Sequence, residues 1–200
     1  MNLKTAALLS TALYFASAAG AQELTAKDRD RAVRLLDSSR AQVDESVRGL
    51  SEAQWTFKPG PDRWSVAEIV EHMALIEGIV KDFLVKIDQA PPPPADRNAA
   101  GIDEMILTKV PDRSTKVKAP EIAVPNGRWT PSVALEQFRN LDGELAEIVR
   151  TASGLRQHAI PHPILGLLDG YQWILTVGAH NERHNQQILE VKADPHFPEK

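Results

Sequence analysis

The stretch WSVAEIVEHMALIEGIVKDFLVKI, residues 64–87, carries the clearest helical signal in the chain. Ser65 and Glu68 stand three apart, the spacing of a capping box, in which hydroxyl and carboxylate each satisfy a free backbone N–H at a helix start. From there Ile69, Met73, Ile76, Val80, Phe83, Leu84 and Ile87 recur at threes and fours, which is one apolar face of a helix about six turns long. Pro91 to Pro94 cannot extend it.

Upstream, Val33, Leu36, Val43, Val47 and Leu50 predict an amphipathic helix over residues 27–50. Residues 51–63 contain Pro59-Gly60-Pro61 and read as a loop, with Trp55, Phe57 and Trp64 folding back on the bundle. Downstream, residues 95–128 carry Pro111, Pro120, Pro125 and Asn126-Gly127, so a long crossover is expected, with a short helix over 102–110 at most. Thr130-Pro131 is a cap followed by proline at the first helical position, and Val133, Phe138, Leu141, Leu145 and Ile148 continue the third helix to Gly154. After a loop with His158, Pro161, His162 and Pro163, Asp169 can cap a fourth helix bearing Trp173, Ile174, Val177, Ile188 and Val191. Four long helices and no persuasive strand predict an all-α chain, a four-helix bundle. Its long connection between helices 2 and 3 lets that pair depart from simple up-down order.

The 200 residues are 42% hydrophobic and 25% charged, an ordinary composition for a soluble domain, with net charge −4. No basic stripe is present, which argues against nucleic acid or an anionic membrane as partner. Cysteine is absent, so disulfides, thiolate metal sites and a cysteine nucleophile are excluded together. Residues 1–21 read as a secretory signal peptide: Lys4 near the start, an uncharged stretch from Thr5 to Ala16, and Ala19-Gly20-Ala21 before a mature start at Gln22. The apolar part falls short of the roughly 20 residues of a spanning helix. A single domain over residues 22–200, periplasmic or secreted and without a stable membrane span after cleavage, is the expected product.

Histidines stand at 72, 158, 162, 180, 184 and 196. His180 and His184 lie four apart on the fourth predicted helix, hence on one face and able to converge on one ion. His72 lies among Ile69, Met73 and Ile76, and a bundle can build a metal site from inward residues on neighbouring helices. A buried polar network without metal accounts for the same spacing. His158 and His162 are also four apart, but the flanking prolines read them as loop residues; His196 sits in a Pro-rich tail.

Trp64-Ser65-Val66-Ala67-Glu68-Ile69 leading to His72, and Ala179 to Ile188 with its two histidines, resemble the DinB-like family of bacterial metal-binding four-helix bundles. Pro59-Gly60 and His162-Pro163-Ile164-Leu165-Gly166 are similar to it as well, and the likeness covers nearly all of residues 22–200. The resemblance implies one divalent ion, nickel or zinc, on His72, His180 and His184, and it allows a homodimer. Some relatives are thiol-dependent transferases that use cytoplasmic thiols, a setting at odds with an export signal.

Three histidines with water completing the coordination form an open site that can activate that water or polarise a carbonyl or phosphoryl oxygen. The first expectation is therefore a metal-dependent hydrolase or transferase acting on a small molecule, its catalytic residues unassigned. Glu68, one turn before His72, is a candidate base or imidazole partner, although the capping box alone accounts for it. Gln187 is a candidate donor to a bound ligand. The alternative is a non-enzymic exported module that binds a metal or a small ligand.

Overall fold

The structure is a computed structural model that describes residues 23–199; the expected signal peptide and the mature start at Gln22 lie outside the described residues. Six helices follow in chain order: α1 Ala26–Val47, α2 Glu52–Thr56, α3 Val66–Val85, α4 Ala99–Lys109, α5 Pro131–Thr151 and α6 Gly170–Lys192. The capping box at Ser65 is present, with Glu68 N–H donating to Ser65 Oγ and Ser65 N–H to Glu68 Oε2. Thr25 and Asp169 cap α1 and α6 in the same way.

α1, α3, α5 and α6 form the bundle. Around its section α1 lies between α5 and α6, and α3 lies between the same two, so α1 and α3 are diagonal. Arg40–Asp142 and Asp44–Arg139 pair α1 antiparallel with α5. Tyr171 Oη donates to Asp28 O and Ser46 Oγ to Asn185 Oδ1, which makes α1 and α6 parallel. The resulting order is up, down, down, up. Adjacent α3 and α5 run the same way, so the chain between them must travel back along the whole helix, about 30 Å for 20 residues. Here lies the physical need for the long connection. It carries α4, which packs on α6, and a 3-10 turn at Glu121–Ala123 against α3, so it roofs the α3/α6 face.

Two expectations are corrected. A short antiparallel hairpin, β1 Ala159–His162 and β2 Gly166–Asp169, stands where no strand was expected, so the fold is a helical bundle with one two-stranded appendage. Gly166 takes φ +82° at its turn, a conformation that L side chains rarely adopt. The loop over 51–63 also contains α2, capped by Ser51. The hairpin is anchored by a buried network in which Arg156 contacts Asp103 at 2.6 Å and Asp169 at 3.0 Å, while Arg97 reaches Asp169 at 3.0 Å.

The core has two parts: one around Leu36, Ile106, Leu145, Tyr171 and Ile174, the other around Val43, Ile69, Met73, Phe138 and Ile188. Buried polar side chains lie in the bundle as well. Glu77 accepts from Asn181 Nδ2 at 2.9 Å and Asp142 from Arg40 at 2.9 Å, leaving Glu77 Oε2, Asp142 Oδ1 and Asn181 Oδ1 unpartnered among the described residues. Burial holds Glu77 well above the usual carboxylate range, with Asp142 adding to the shift.

Candidate metal centre

α3 and α6 run antiparallel, so His72, near the start of α3, comes opposite His180 and His184 in the later half of α6. One ring nitrogen of each lies within 4.8 Å of the others. His180 Nε2 is 3.2 Å from His72 Nε2 and 3.0 Å from His184 Nε2. For metal–nitrogen bonds of 2.0–2.1 Å, tetrahedral ligand nitrogens stand about 3.3 Å apart. The observed separations need only small ring adjustments.

Tautomers decide whether the trio fits a cation. His72 Nδ1 is 2.7 Å from the Ala123 carbonyl and donates to it; His184 Nδ1 is 2.9 Å from Gln187 Oε1 and donates there. Each neutral ring then carries its lone pair on Nε2, facing the third histidine. A single proton on His180 Nε2 can serve one of these lone pairs and never both. His180 Nδ1, meanwhile, is buried without a partner. A proton-only network leaves an acceptor facing an acceptor, whereas a cation takes all three lone pairs at once. The residues therefore fit a divalent ion.

Electrostatics point the same way. Burial, with their mutual proximity, holds His180 and His184 well below the usual imidazole value, and burial lowers His72. All three are unprotonated at neutral pH, the form that ligates. His72 and His184 are buried and His180 is half-buried, with its Nδ1 closed off from solvent. Trp64 packs against the trio, 4.8 Å from the His72 ring and 6.4 Å from that of His184.

The roof is strapped down beside the trio. Glu71, 3% exposed, accepts from the N–H groups of Asn126, Gly127 and Arg128 at 3.0, 3.1 and 3.4 Å. Arg183 donates to the carbonyls of Asp112 and, at 2.6 Å, Thr115, and Arg113 pairs with Glu190 at 2.7 Å. The Ala123 carbonyl that orients His72 thus belongs to a segment fixed on both sides of it.

His72, His180 and His184 are brought together, and the other histidines stand apart. His158 donates to Ala90 O, His162 Nδ1 accepts from the turn of the hairpin, and His196 is exposed beside Asp194. Glu68 is committed to the Ser65 cap and to Lys58 at 2.9 Å, and these bonds hold its pKa below the ordinary value against the effect of burial. Gln187 orients His184 through its side-chain oxygen. The Ala123 carbonyl and Glu71 were missed in the sequence, which carries no local mark of a contact across some fifty residues.

A family model described as the DinB superfamily matches residues 19–188. The uncharacterized protein YuaE of Bacillus subtilis (strain 168) is 26% identical over 163 residues, covering 79% of this chain and 95% of YuaE. Among solved structures, YfiT from Bacillus subtilis, described as a probable metal-dependent hydrolase with an unusual four-helix bundle topology, superposes with a TM-score of 0.53 at 14% identity. That match covers 84% of this chain and 88% of YfiT.

Proposed function

This chain belongs to the DinB superfamily, and from that premise we propose that His72, His180 and His184 hold one divalent ion, nickel or zinc, and that the protein is a metal-dependent hydrolase or transferase acting on a small molecule. The carrying observation is the convergence of three Nε2 atoms, two of them fixed as acceptors by the Ala123 carbonyl and Gln187. An ion bound there supplies a Lewis acid and an activated water at neutral pH. The chain's own part is to keep the three rings neutral and to hold two of them by outer hydrogen bonds. The description of YfiT as a probable metal-dependent hydrolase supports the reading. Export to the periplasm or the exterior belongs to the proposal and rests on the sequence of residues 1–21. No helix among the described residues is long and apolar enough to cross a membrane.

The test is metal content by mass spectrometry on untagged protein purified without chelator, beside the His180→Ala/His184→Ala variant. About one nickel or zinc per chain, lost in a folded variant, is expected. No uptake of zinc, nickel, manganese or iron overturns it. One observation favours a non-enzymic metal-binding module as second reading: Glu68, the candidate base, is tied to Ser65 and Lys58. A bound water that exchanges, with hydrolytic turnover in a substrate screen, separates the enzyme from the module.

A further inference from the structure

Two of the three ligands meet the crossover in the same way. On α3, His72 donates from Nδ1 to the Ala123 carbonyl at 2.7 Å, and Glu71, the residue before it, accepts from the N–H groups of Asn126, Gly127 and Arg128. On α6, His184 donates to Gln187 Oε1, which Arg113 of the crossover approaches to 3.5 Å. Arg183, the residue before His184, donates to the carbonyls of Val110 and Thr115 at 3.4 and 2.6 Å. Each ligand is thus preceded in the chain by a residue that grips the crossover, and the crossover supplies or touches the acceptor of each ligand's outer N–H.

Little else holds this segment down. Of residues 111–128 only Ala123 is buried, while Val117, Ile122 and Val124 are exposed. A segment docked by polar contacts and one small apolar side chain opens at a free energy well below that of global unfolding. Its docking therefore responds to anything that binds one arrangement better than the other.

We propose that docking of residues 111–128 and binding of the ion at the triad are one linked equilibrium, in which Glu71 and Arg183, outside the ligand set, are positioning residues for the metal. The inference rests on the reading of the triad as a metal centre. Release of the crossover takes the Ala123 carbonyl from His72, and with it the bond that keeps the proton on Nδ1 and the lone pair on Nε2, towards His180. An outer partner of this kind is worth about 10- to 100-fold in metal affinity. By reciprocity the ion strengthens docking of the crossover by the same factor as docking strengthens the ion. Occupancy of a buried centre is thereby displayed at the surface as order in the crossover.

Gly127 takes φ +72° with nothing within 4 Å of a Cβ placed there. Gly127→Pro fixes φ at about −65° and removes the N–H given to Glu71, so it unseats the crossover while every charge and every ligand is kept. Hydrogen exchange of the full chain, with and without zinc, follows the N–H groups of Ala123, Val124, Asn126 and Gly127, all hydrogen-bonded in the docked crossover. Saturating zinc should slow their exchange about tenfold or more and leave that of the β1–β2 hairpin unchanged. In chelator competition Gly127→Pro should bind zinc about tenfold more weakly, by no more than the factor of the slowing. Glu71→Gln, which keeps the shape of the side chain and one acceptor oxygen, should fall between that variant and wild type. If Gly127→Pro does not fold, the exchange rates and Glu71→Gln decide alone. Zinc uptake with crossover exchange unchanged, slowing of equal size in the hairpin, or folded strap variants that bind zinc like wild type each overturns the linkage and leaves the metal centre standing. Absence of zinc uptake by wild type overturns the metal centre and the inference with it.

Discussion

Replacing Asp142 by Asn removes an ionisable group from the middle of the bundle, and pH decides what that does to stability. The carboxyl is fully buried, with Oδ2 accepting from Arg40 at 2.9 Å and Oδ1 unpartnered. Burial raises its pKa from 3.8 to about 7 in spite of Arg40. Between those values the folded protein keeps a proton that the unfolded chain has released. The contribution is therefore full below about pH 4 and is lost as pH rises through 7. Each unit is worth about 1.4 kcal/mol, so from pH 5 to pH 8 the wild type should lose about 2.7 kcal/mol that the Asn variant keeps. Other groups titrate in this range. The three lowered histidines make stability rise with pH up to about 6.5, and the raised Glu77 pulls it down. Both proteins contain them, so the difference at each pH isolates Asp142 together with its coupling to Glu77. Urea denaturation of metal-free protein at pH 5, 6, 7 and 8 is the assay. The variant should gain on wild type by about 2–3 kcal/mol across the series. A gap constant to within about 0.5 kcal/mol would refute the reasoning, because it would mean that Arg40 keeps Asp142 ionised throughout.

Gln187→Ala removes the acceptor that orients His184 and should weaken zinc affinity about 10- to 100-fold, read by chelator competition, with the fold intact. Gly178→Ala places a Cβ 2.5 Å from Leu35 Cγ where α1 and α6 approach closely; overpacking of about 1–3 kcal/mol should outweigh the helix-propensity gain and lower the Tm. Gly143→Ala meets nothing within 4 Å on α5 and should raise stability by up to about 1 kcal/mol in the same measurement. Glu71→Ala leaves the N–H groups of residues 126–128 without their acceptor, so limited proteolysis between residues 113 and 128 should be faster than in wild type.

Much of the bundle was legible because its marks are local. A capping box needs residues three apart, and the boxes at Ser65 and Asp169 set where α3 and α6 begin. The pair His180 and His184 was legible for the same reason, since one helical turn fixes their common face. The hairpin was not, because its strands are four residues each and prolines stand in and beside β1. Phe83 was read into the apolar face of α3, yet it is 37% exposed; Glu77 on the same helix is fully buried, its pKa pushed up by burial. Charge in a sequence argues for solvent, and only the packed neighbours reveal that burial pushes a carboxyl's pKa up.

Short-range patterns were enough to mark the four long helices, the caps that begin α3 and α6, and three histidines on helices able to share an ion, because these follow from hydrogen bonds and side-chain spacing within a few residues. That α3 and α5 run parallel was settled by packing, since nothing local distinguishes helix directions in a bundle. From that choice follow the crossover's return over the α3/α6 face, the Ala123 carbonyl on His72, and the strap at Glu71. The orientation of the metal-facing nitrogens depends on these contacts across the chain, and they exist only when the helices are packed.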